Sequence, residues 1–201
     1  FFNGLIWSLC MLGAFFLFIL FCGWIDHFDY VELNSLIDVF FLIFGIVFAE
    51  ELIFRGWLME EMVFLFGLKR GIILQSAIFS LAHYRTDISL IALIPFLSAL
   101  FLFGLVLTIR RTIDKGSLLG CIGLHGGLVG IWYLVDSGLV AFSPGTPFYF
   151  LGPSIEMVNP LAGISGITVL IIIVLFQRRL FSRTGRFLAS TVNASSKDEI
   201  P

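Results

Sequence analysis

The chain has 201 residues, of which 59% are hydrophobic and only 13% charged. With a mean hydropathy of +1.04 there is too little polar surface to coat a soluble globule, and the composition reads as an integral, multi-pass membrane protein. A formal net charge of −2, with no basic block interleaved with aromatics, gives a nucleic-acid partner no footing.

Apolar runs close to the roughly 20 residues that cross a bilayer occur around 3–22, 36–55, 88–109, 118–135 and 160–177, with a shorter one at 71–84. Period-two alternation is absent, so the expected fold is all-α, a polytopic transmembrane helical bundle of about six membrane helices in a lipid bilayer. The first run opens on Phe1 rather than Met, which reads as a piece of a longer protein. It lacks a small-residue cleavage pattern and is expected to span rather than to be removed. Together with the acidic loop after it, this helix makes up 1–35. The remaining spans form one core over 36–180, and 181–201 turn basic and then polar, the signature of a disordered tail. The long connection 136–159 mixes Pro144, Pro147 and Pro153 with Phe142, Phe148, Tyr149 and Phe150, a composition suited to the headgroup region. Cys10, Cys22 and Cys121 have no close pairs, so neither a disulfide framework nor a Cys-rich metal site is indicated and they read as packing residues.

Lys69, Arg70, Arg110, Arg111, Lys115, Arg178, Arg179, Arg183 and Arg186 fall in alternate connections or in the tail. The positive-inside rule assigns these to the cytoplasm, together with the C-terminus. The other connections carry Asp26, Asp29 and Glu32, then Arg85 and Asp87, then Asp136 and Glu156, and are expected on the opposite side.

Against this background Glu50-Glu51-Leu52-Ile53-Phe54-Arg55 stands out. Ionisable side chains at membrane depth cost a few kcal/mol or more each unless they pair or face a polar cavity, so such a cluster marks a functional site. On one helix Glu51 and Arg55 are four residues apart and share a face, where each offsets the burial of the other. Glu50 projects about 100° away and has no partner on its own helix, which makes it the candidate base. His83 ends the next apolar run and His125 lies inside a later one. Imidazole is the side chain that exchanges protons most readily near neutral pH, so Glu50, His83 and His125 make a set able to bind a metal or activate a water. Gly120, Gly123, Gly126, Gly127 and Gly130 surround His125, and their small-xxx-small spacing predicts close helix contact there.

These residues resemble the CPBP superfamily of glutamate-dependent intramembrane proteases, which includes the type II CaaX prenyl endopeptidase and the bacterial Abi proteins. The family pattern is Glu-Glu-x-x-x-Arg, then Phe-x-x-x-His, then His-x-x-x-Asn/Asp on successive core helices. Glu50, Glu51 and Arg55 complete the first motif, and Phe79 and His83 the second. The third begins with His125, but Val129 stands where the family has Asn or Asp. The resemblance covers about 36–135. It implies a hydrolase without metal or cofactor, in which Glu50 and His83 activate water and His125 holds the oxyanion. Glu51, Arg55 and Phe79 are then supporting residues, and the substrate is a membrane-associated peptide or protein. A second class stays open beside it, a non-catalytic member of the same fold acting as a maturation, immunity or assembly partner.

Overall fold

A computed structural model describes residues 1–153 and 158–176. Glu156, the four arginines after residue 177 and the tail 181–201 lie outside these. Helix α1 (Phe2–Phe21) is followed by a short strand, β1 (Ile25–Phe28). A helical rod, α2, then runs over 33–66 without a break. It is succeeded by α3 (Leu68–Ala82), α4 (Leu90–Ile113) and α5 (Leu119–Leu134). Strand β2 (Val140–Phe142), the one-turn helix α6 (Phe148–Leu151) and α7 (Ile164–Phe176) complete the described chain.

The protein is a helical bundle, and the helices fall on the expected apolar runs. Among the described residues three segments, Phe2–Phe21, Leu90–Ile113 and Leu119–Leu139, are long and apolar enough to cross a membrane. The other helices are shorter or, in α2, carry the charged cluster. A shared core of Leu12, Phe79, Phe96, Phe103, Leu107 and Leu124 draws α1, α3, α4 and α5 together.

Helix α2 is longer than the expected span at 36–55 and is not a plain α-helix throughout. Instead two wider π-type turns, Leu42–Val47 and Leu52–Leu58, flank the four α-helical residues Phe48–Glu51. Each π turn rotates the side chains that follow it, and such turns recur at functional sites. The rod ends at Gly67, whose φ of 76° is cheap only without a Cβ. This single residue reverses the chain into α3. A Cβ on Gly71 would lie 2.6 Å from the Val63 backbone, so the hairpin closes only over glycine.

The basic connections meet at one end of the bundle. Arg111 Nη2 lies 2.5 Å from Glu60 Oε1, tying the end of α4 to the end of α2, and Arg110 pairs with Asp114 in the last turn of α4. At the other end, β1 pairs antiparallel with β2, with Ile25 opposite Phe142 and Phe28 opposite Val140. This short ribbon sits within an otherwise helical bundle, as expected for an all-α fold, and its second strand falls in the long 136–159 connection. Strands of four and three residues are too short to show a period, and their pairing spans most of the chain. An aromatic group of Phe18, Trp24 and Phe150 packs beside the ribbon.

The glycines of α5 serve two neighbours. A Cβ on Gly127 would fall 2.0 Å from Ser8 Oγ on α1, and one on Gly126 would fall 2.8 Å from Ile43 Cγ2 on α2. On the facing helix, a Cβ at Gly4 would meet the Gly120 carbonyl at 2.0 Å. The helix carrying His125 is therefore held tightly between α1 and α2, as its spacing predicted. Cys121 is buried on the same helix and its thiol donates to the Leu107 carbonyl at 3.3 Å. Cys10 is exposed.

Candidate active site

The α-helical turn between the two π segments directs Glu50 and Glu51 to different places. Glu51 is fully buried, and its Oε1 accepts a hydrogen bond from Arg55 Nη1 at 3.0 Å, one turn along and equally buried. The Arg55 guanidinium also lies over the Phe79 ring, 3.9 Å from its centroid. That cation–π contact matters because Arg55 Nε and Nη2 have no hydrogen-bond partner among the described residues. Phe79 is completely buried and touches Phe54, His83 and His125 edge to face. One aromatic ring thus carries the guanidinium on its face and separates the two histidines.

Glu50 turns toward both imidazoles. Its Oε1 is 3.6 Å from His83 Nε2, and its Oε2 is 3.8 Å from His125 Nε2. Both separations exceed hydrogen-bond length, the range in which a bridging water has to be considered. His83 sits at the C-terminal end of α3, where its Nδ1 donates to the Phe79 carbonyl at 2.8 Å. A carbonyl only accepts, so this bond puts the proton on Nδ1 and aims Nε2 at Glu50. His125 is oriented the same way from the opposite side, with Nδ1 2.7 Å from Glu51 Oε1. Glu51 Oε1 therefore serves Arg55 and His125 together.

Exposure divides the group. The side chains of Glu50 and His83 are 25% and 28% exposed, whereas Glu51 and Arg55 show no exposed surface and His125 shows 5%. Anything arriving from outside meets the Glu50–His83 pair first, with His125 behind it. All six residues singled out in the sequence, Glu50, Glu51, Arg55, Phe79, His83 and His125, come together from α2, α3 and α5. Val129 does not join them and lines a neighbouring cavity of about 310 Å³. Among the described residues no group of three His, Cys, Asp or Glu side chains is placed to hold a metal ion.

The Glu51–His125 contact is the feature that sequence reasoning missed, since spacing within a helix says nothing of a partner 74 residues away. Its one advance signal was the glycine pattern around His125, which called for a close neighbour. A carboxylate held by a buried cation, beside a second carboxylate facing two oriented imidazoles, can take a proton from a bound water and pass it on.

No curated protein and no solved structure matches the chain significantly. Residues 32–131 match the family described as type II CAAX prenyl endopeptidase Rce1-like. That segment begins at the foot of α2, takes in α3 and α4 and ends in α5, so it contains the whole cluster. The chain belongs to the type II CAAX prenyl endopeptidase Rce1-like family.

Proposed function

We propose that the protein is an intramembrane endopeptidase that hydrolyses a peptide bond of a membrane-associated protein or peptide, with its basic connections and C-terminus in the cytoplasm. Glu50 and His83 hold a water between them. Glu50 takes one of its protons as the oxygen attacks the scissile carbonyl, and the C–N bond breaks as that proton passes to the departing amine. His125, whose Nδ1 is held by Glu51, turns Nε2 toward the oxygen on which negative charge develops, the position where one fixed donor is worth a few kcal/mol of barrier. Glu51, Arg55 and Phe79 hold this donor in place and do not exchange protons with substrate.

The observation that carries the reading is the approach of Glu50 to both imidazoles, at 3.6 Å and 3.8 Å, by the more exposed members of an otherwise buried charged group. The test compares peptide termini by mass spectrometry in membranes containing wild-type protein or Glu50→Gln at matched abundance. Termini that form only with wild type are the expected result. Identical profiles overturn the catalytic reading.

A second reading, a binding partner without catalysis, has Val129 in its favour, since an aliphatic side chain cannot donate to an oxyanion. It predicts that Glu50→Gln, which is nearly isosteric, leaves the protein's biological effect intact.

A further inference from the structure

The cavity of about 310 Å³ takes its walls from two of the helices that carry the cluster, with Leu42 from α2 and Val129 from α5, and includes none of the cluster residues themselves. Val129 lies one turn, about 6 Å, beyond His125, and Leu42 lies about 12 Å along α2 from Glu50. The shorter of these separations equals about two residues of extended chain and the longer between three and four. A peptide whose scissile bond sits over Glu50 would thus lay a side chain about two to four positions away into this space.

The polar groups of the lining are Trp132, Tyr133, Asp136 and Asn159. A bound extended peptide presents carbonyls that need donors, and most donors here are already engaged. Trp132 Nε1 donates to the Val158 carbonyl at 2.9 Å, and the Tyr133 hydroxyl donates to Asp38 at 2.7 Å. Asp136 offers acceptor oxygens. Asn159 differs, because its Oδ1 accepts from Leu161 N–H at 3.0 Å while Nδ2 has no partner among the described residues. The Leu161 bond also settles which end of the carboxamide is oxygen, since an N–H needs an acceptor. The turn that carries Asn159 is anchored as well. Its backbone N–H donates to Leu151 O at 2.9 Å, and the Trp132 bond to Val158 ties the adjacent residue to α5.

We propose that this cavity is a substrate subsite for the residue about two to four positions from the bond cut at Glu50, and that Asn159 Nδ2 donates a hydrogen bond to a backbone carbonyl of that segment. The proposal rests on the endopeptidase reading above. It assigns Asn159 to substrate binding and makes Val129 and Leu42 the determinants of which side chains fit.

The test uses the full chain in its membrane and reads Glu50-dependent peptide termini by mass spectrometry at matched abundance. Asn159→Asp keeps the acceptor that binds Leu161 N–H and removes the donor. Termini should then form about tenfold more slowly, the size expected for one lost hydrogen bond. Val129→Phe narrows the cavity and should shift the residues found about two to four positions from the cut toward smaller side chains. Val129→Ala, which cannot overpack, should shift them toward larger ones. Wild-type rates in Asn159→Asp with an unaltered residue preference in both Val129 variants overturn the subsite and leave the endopeptidase reading standing. If no termini depend on Glu50 in the wild-type protein, that reading fails and the subsite falls with it.

Discussion

His125 Nδ1 and Glu51 Oε1 lie 2.7 Å apart with both side chains buried. Because the same oxygen accepts from Arg55, the carboxylate that looked like half of a local ion pair also orients an imidazole from another helix. Removing it should therefore do two things. Glu51→Gln leaves Arg55 buried without its counter-charge, a loss of about 3–5 kcal/mol, and frees His125 to rotate. A lower thermal unfolding midpoint in detergent is expected. Replacing Glu51 and Arg55 together by Leu should cost less than Glu51→Gln alone, since the guanidinium is then no longer left buried without its counter-charge.

Glu50→Gln should behave oppositely. Glu50 has no hydrogen bond shorter than 3.5 Å to either histidine and keeps a quarter of its side chain exposed. Its loss should leave the unfolding free energy within about 1 kcal/mol of wild type and lower the rate of peptide cleavage by about 10²-fold or more. Thermal scans alongside terminus counting separate the two quantities.

The two histidines should also separate. His83→Ala removes a partly exposed ring whose hydrogen bond among the described residues goes to a carbonyl of its own helix, so activity should fall while stability changes little. His125→Ala removes a buried ring packed on Phe79 and Phe103 and bonded to Glu51. Both stability and activity should fall, by several kcal/mol in the first case. Equal stability for the two variants would contradict the division between an outer and an inner imidazole.

Cleavage should decline in acid as Glu50 gains a proton and ceases to act as a base. The exposed Arg85–Asp87 pair at the end of α3 supplies a control. The hydrogen bond from Arg85 holds the Asp87 carboxyl below its ordinary 3.8. Its contribution to stability is thus present above that value and lost only as pH falls through the lower, folded-state value. Between pH 7 and 5 the pair stays charged, so Asp87→Asn should leave the pH profile of cleavage unmoved. A profile displaced in Asp87→Asn would trace the acid limb to the loop instead of the cluster.

Contact between α1 and α5 should tolerate less than contact between α2 and α5. A Cβ at Gly4 would meet backbone, Gly120 O at 2.0 Å and Leu124 N at 2.7 Å, whereas one at Gly126 would meet the Ile43 side chain at 2.8 Å. Gly4→Ala should cost about 2–3 kcal/mol or more and Gly126→Ala about 1 kcal/mol, because a side chain can swing aside and a helix backbone cannot. Thermal unfolding of the two variants checks the order.

Features governed by one helix were legible in the amino-acid order. Apolar run lengths placed the helices, alternating charge placed their ends, and the four-residue spacing of Glu51 and Arg55 placed their ion pair, since helical geometry repeats every 3.6 residues whatever surrounds it. The grouping of Glu50 with His83 and His125 was visible as a set of costly polar residues, although not as distances. Contacts between helices depend on how each one is rotated and how far it slides, and packing over the glycines of α5 and the π turns of α2 decides both. Only the folded chain therefore brings His125 onto Glu51, turns Val129 away into the neighbouring cavity beside Asn159, and pairs β1 with β2 across more than a hundred residues of sequence.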